Sequence, residues 1–123
     1  MDNKQMGPRN VGFVLSEASG SRSLEQIVIA SGAGVLQPGT VLGKVTASKK
    51  YVASPDAGAD GSQTGVAVLA YRTDATSADA DAVAYVRDCE VKNAELAYEA
   101  TVDDSTKQQT KHDQLAAVGI IVR

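Results

Sequence analysis

The chain carries one histidine, His112, and one cysteine, Cys89, and these two residues narrow the chemistry open to it. A two-histidine metal site is excluded by count. Asp113 stands next to His112, but adjacent helix residues do not face each other, so the pair is not a base with its orienting carboxylate. His112 reads as an exposed helix residue. Cys89 falls in the run Val83, Tyr85, Arg87, Cys89, Val91, one side of a strand by alternation, which makes it a buried, inert thiol. The acidic pairs Asp79/Asp81 and Asp103/Asp104 are the remaining candidates for metal or general-acid work. The first lacks the glycine and terminal glutamate of a calcium loop. The second stands where it would cap a helix. Gly32-Ala33-Gly34 lacks the later glycine and following helix of a phosphate cradle, and Lys49-Lys50 reads as a solvated turn. No catalytic, cofactor-binding or metal-ligating residue is assigned.

The elements that hold these residues are mainly β. Leu24–Ala30, Thr40–Thr46, Tyr51–Ala53, Gly65–Tyr71 and Ala82–Val91 read as strands, rich in β-branched residues and separated by turn signals such as Pro38-Gly39. Their spacing of roughly ten residues predicts a small sandwich or barrel. One helix is expected from about Asp103 to Ala117, capped by Asp or Ser, followed by Gly119 and a short final strand, Ile120–Val122. Its first two turns show almost no apolar stripe. Before residue 24 the texture differs. Gly7-Pro8, Gly12 and Ser19-Gly20-Ser21 interrupt regular structure, so residues 1–23 read as an extended N-terminal arm and 24–123 as the β-rich body. Within the arm, Val11-Gly12-Phe13-Val14-Leu15 is a short strand with no partner nearby in sequence. Alternation puts Val11, Phe13 and Leu15 on one side, and the segment reads either as a frayed terminus or as a strand that adds to another protein's sheet edge. Phe13, the sole phenylalanine, is the expected anchor.

Composition limits the core. Of 123 residues only 27 are Leu, Ile, Val or Phe, while 19 are alanine and none is tryptophan. A core this thin favours completion by oligomerisation or a bound partner. One cysteine rules out an internal disulfide framework. No apolar run approaches the roughly 18 residues of a membrane span, and Met1–Gln5 lacks the apolar start of a signal peptide. A net charge of −3 with no basic stripe argues against nucleic acid.

Several ordered blocks carry a resemblance. They are Phe13–Ala18, Arg22-Ser23, Ala30-Ser31-Gly32, Gly39–Val45 with Lys50-Tyr51-Val52, Asp60–Thr64 leading into Val66–Leu69, Arg87–Val91 with Asn93–Leu96, and Leu115–Arg123. In this order and spacing the chain resembles the bacteriophage head decoration proteins of the lambda D type. The resemblance implies a β-clip-like body with one short C-terminal helix, and homotrimers at three-fold and quasi-three-fold positions on the outer surface of the expanded head. It also implies an N-terminal arm that pairs with a strand of the major capsid protein, and a life that begins in the host cytoplasm and ends on the virion. Two departures stand out. Tyr98-Glu99-Ala100 replaces a Trp-Pro pair usual before the helix, and Lys49 or Lys50 replaces a glycine usual at the tip of the 46–51 turn.

Two other classes fit the residues less well. A stand-alone β-clip or sandwich module for a small ligand or sugar needs a cleft with polar or aromatic groups, and aromatics are scarce. A small hydrolase needs an acid or base in a turn at fixed spacing, which the sequence does not show.

Overall fold

The structure, a computed structural model, describes residues 10–20 and 22–123. Residues 1–9 and Ser21 of the expected arm lie outside the described residues. Ten strands and one α-helix follow in order: β1 (Val14–Glu17), β2 (Leu24–Ile29), β3 (Gly34–Leu36), β4 (Val41–Lys44), β5 (Tyr51–Ala53), β6 (Gly65–Leu69), β7 (Thr73–Ala75), β8 (Ala80–Tyr85), β9 (Cys89–Val91), α1 (Ser105–Ala116) and β10 (Ile120–Val122). The fold is mainly β with one helix, as expected.

Five strands close into a barrel in the order β2-β5-β4-β6-β8. Its longest seam is the antiparallel β2–β8 pairing, from Leu24 opposite Tyr85 to Ile29 opposite Ala80. Period-two alternation sends Ile27, Ile29, Leu42, Ala67, Leu69, Ala82 and Ala84 into the interior. The alanines have a use here. A barrel of so few strands has a narrow bore that its own side chains must fill, so small residues on β6 and β8 face large ones on β2 and β4. The opposite faces of β4, β6 and β8 carry Val41, Val68 and Tyr85, which start a second core against Phe13, Cys89, Val91, Leu115 and Ile120. Gly43 lets the loop after β5 cross β4 closely; a Cβ there would stand 1.9 Å from the Ser62 carbonyl oxygen.

The expected strand Ala82–Val91 is two strands. Asp88 takes φ 51°, and the chain leaves the barrel after Tyr85 to form β9 in a three-stranded sheet, β1-β9-β10. The ribbon of β3 and β7 was not anticipated; each strand has only three residues, too few to show a period. Lys49 has φ 61°, so it is this lysine that occupies a left-handed turn position suited to glycine.

The arm needs a larger correction. β1 has a partner within the chain: it runs antiparallel to β9, with Val14 opposite Val91 and Glu17 opposite Cys89. Val11, Phe13 and Leu15 do not share a side. Phe13 is 1% exposed and meets Tyr85 edge-on, ring centroids 5.7 Å apart, whereas Leu15 is 48% exposed. Alternation fails because Val11 sits in a left-handed turn with φ 52° and the register shifts between Val14 and Ser16. The one phenylalanine serves this protein's own core.

Candidate interaction site

The chemistry-bearing side chains are tied into the fold. Cys89 is buried, and burial, with Glu17 and Asp88 adding negative charge, pushes its thiol up to about 11. It stays protonated and unreactive near neutrality. His112 is half-buried rather than exposed. Its Nε2 lies 2.7 Å from the Tyr98 hydroxyl, which also donates to Asn93 Oδ1 at 3.0 Å. Tyr98 thus does pack where the usual Trp-Pro pair is missing, joining the second core by its ring and α1 by its hydroxyl. Burial lowers the His112 pKa, opposed by Asp113.

Lys111 is the residue that sequence reasoning missed. It lies on the polar part of α1, yet it is 1% exposed. Its Nζ donates to Ser54 Oγ at 2.9 Å, to the Pro55 carbonyl at 2.6 Å and to the Gln63 carbonyl at 2.5 Å. Ser54 Oγ in turn donates to the Ser62 carbonyl at 2.7 Å. A serine beside a buried lysine has the composition of a nucleophile and its base. Here both are 1% exposed and the hydroxyl proton is committed to a carbonyl, so a substrate has no approach. The cluster is a clasp between α1 and the 54–64 loop. Among the described residues, no group of three or more His, Cys, Asp or Glu stands close enough to hold a metal ion, and no helix is long and apolar enough to cross a membrane.

What faces outward is the β1-β9-β10 sheet. β9 is its middle strand, with β1 antiparallel and β10 parallel to it. Ser16, Glu90 and Ile121 lie abreast across the three strands. Val91 and Ile120 point to the core, while Leu15 and Ile121 are two of the four large apolar side chains left exposed among the described residues. An open groove runs beside them, lined by Ser16, Glu17, Arg22, Asp88, Gly119 and Ile121. Arg123 Nε is 3.1 Å from Glu90 and Arg22 Nε 3.7 Å from Asp88; exposed pairs of this kind add little stability.

Of the expected capsid-binding residues, Val11 and Gly12 form a turn at the head of this sheet, Phe13 and Val14 pack against the second core, and Leu15 alone is well exposed. Ile121 was legible only as part of a closing strand; that β9 would bring it into Leu15's sheet required a pairing across more than seventy residues.

A small closed barrel whose reactive groups are buried or committed to its own hydrogen bonds, with an edge sheet that turns Leu15 and Ile121 outward among polar and charged residues, defines a structural β module. Residues 3–120 match the family described as Bacteriophage lambda head decoration protein D, and the chain belongs to that family. Its members are structural phage capsid proteins, which are not an enzyme class; the role is capsid decoration and the location is the virion capsid. No curated protein matches the chain.

Proposed function

We propose that this protein cements the mature phage head, binding the outer surface of the expanded capsid as trimers at three-fold and quasi-three-fold sites. Contact runs through the N-terminal arm, residues 1–23, with the segment Val11, Gly12, Phe13, Val14 and Leu15 at its base. Leu15 touches the major capsid protein, and Phe13 supports it from inside. The observation that carries this reading is β1 itself: it stands at the edge of its sheet, where no described strand but β9 pairs with it, with Leu15 exposed beside it. Main-chain hydrogen bonds along such an edge supply affinity, and alternate side chains choose the register.

Stabilisation then follows from linkage. A protein that binds the expanded shell and not the compact one shifts the balance toward expansion, and many copies multiply a modest free energy per site. Co-sedimentation with undecorated heads tests this directly. Binding to expanded heads but not to unexpanded ones is expected, and equal binding to both, or to neither, contradicts it. Leu15→Asp should weaken head binding at least tenfold while shifting stability by no more than about 0.5 kcal/mol, as for other surface changes. Unchanged head occupancy by that variant removes Leu15 from the contact.

A further inference from the structure

β1 does not keep step with its neighbour. Val14 stands opposite Val91 and Ser16 opposite Glu90, so two residues of β1 advance for one of β9. The bonds at either end show the same mismatch. The Phe13 carbonyl accepts from the Lys92 amide at 2.8 Å, and the Ala18 amide donates to the Asp88 carbonyl at 3.2 Å, so the run 13–18 is one residue longer than the run 88–92 beside it. The extra residue is Leu15, and the irregularity is a β-bulge. It belongs to β1 alone: on its other side β9 meets β10 in unbroken register, from Ile120 opposite Cys89 to Val122 opposite Val91. Neither the pairing nor the core asks for this residue. Val14, Ser16 and Glu17 would keep the same partners on β9 without it, and the Leu15 side chain is largely in solvent.

We infer that the Leu15 bulge is a specificity device: it bars β1 from pairing with the β1 of a second copy, and it aims Leu15 at the capsid strand that the edge accepts. The second half rests on the reading of β1 as a capsid contact; the first half does not. An edge strand is a template for any other strand unless something spoils it. Val14–Glu17 holds no proline or lysine, and its single charge is Glu17. In an antiparallel, fully overlapped pairing of two β1 strands, Glu17 would face Val14 of the second copy, so like charges do not keep them apart. The bulge does. It bends the strand and raises its twist, and a strand matched to one side of it is out of step on the other. Two-fold symmetry sets both bulges at the centre of the shared ladder, where they break it twice. A capsid strand has a sequence of its own and need accommodate only one. Selectivity of this kind comes from the penalty against the wrong partner as much as from contacts with the right one.

The test is sedimentation velocity on the free full-length protein, with co-sedimentation on expanded, undecorated heads, for wild type, a variant lacking Leu15, and Leu15→Gly. The deletion keeps the other β1–β9 pairings and loses the bulge; Leu15→Gly loses the side chain and keeps the extra residue. The deletion variant is expected at about twice the wild-type mass, as two copies joined about a two-fold axis, with slowed amide exchange in β1. Leu15→Gly is expected at the wild-type mass. Both should bind heads about tenfold more weakly than wild type, having lost an apolar contact. If the deletion variant melts early, the same deletion combined with Ser16→Val carries the comparison on a strand of higher β-propensity. A folded variant without the bulge that keeps the wild-type mass overturns the bar against self-pairing. So does Leu15→Gly associating as the deletion does, which would place the barrier in the side chain. Both variants binding heads as tightly as wild type overturns the aiming of Leu15. Wild type that binds no heads overturns the proposed capsid contact, and the masses alone then decide whether the bulge bars self-pairing.

Discussion

Phe13 and Leu15 are two residues apart and have opposite duties. Phe13 is enclosed by Tyr85 and the rest of the second core, so Phe13→Ala removes buried area and leaves a cavity, a loss of about 3–5 kcal/mol. Chemical denaturation should show this in the isolated protein, before any head is added. Leu15→Asp should leave the same curve almost unmoved. If Phe13→Ala kept full stability and lost only head binding, the ring would be a capsid anchor after all. Lys49 gives a prediction of opposite sign. It occupies a left-handed position at φ 61°, where glycine pays no steric cost, so Lys49→Gly should stabilise the protein by about 0.5–1 kcal/mol. A Tm below wild type would show that the lysine side chain matters more than its backbone. At this scale the sequence was readable where a residue's environment is local. Cys89 is buried as expected, although the single strand assumed for it breaks at 86–88. Phe13 was misread because one left-handed turn at Val11 reverses which side faces in, and nothing local announces it. Lys111 was misread for a related reason: its three acceptors come from a loop about fifty residues earlier.

At the scale of elements, α1 shows how a helix with almost no apolar stripe is held in place. Asp104 Oδ1 caps its start by accepting from the Lys107 amide at 2.8 Å. Leu115 reaches the second core, Lys111 clasps the 54–64 loop, and Gln114 Oε1 accepts from the Gly65 amide at 2.7 Å. Its docking is largely polar. His112 adds a pH dependence. Burial holds its pKa below the ordinary value of about 6.5, so on acidification the unfolded chain takes up a proton before the folded one does. That contribution to stability is complete above about pH 6.5 and is lost as the pH falls through the lowered value. The drop in Tm between pH 7.5 and pH 5 should therefore be smaller for His112→Gln than for wild type. An equal drop would show that His112 titrates alike in both states. Helix bounds, cap and the Gly119 stop were legible because capping and turn chemistry are local. The β1–β9 pairing, the break at 86–88 and the three-residue strands β3 and β7 were not, since each depends on partners distant in sequence.

For the whole molecule, the shortage of large apolar residues resolves into two small cores. Alanine lines the narrow barrel, and the arm's phenylalanine completes the second core. Phe13 therefore finds its packing partners within its own chain, and what the body offers a partner is the edge sheet with Leu15 and Ile121 exposed. Membership of the head decoration family supplies the setting in which such an edge has a use. The most direct measurement is an electron cryomicroscopy reconstruction of expanded heads mixed with the purified protein. The account predicts trimeric density at three-fold and quasi-three-fold sites, with β1 against the shell and a capsid strand alongside it. Bound density with the β1-β9-β10 sheet turned toward solvent, or heads that stay bare, would contradict it.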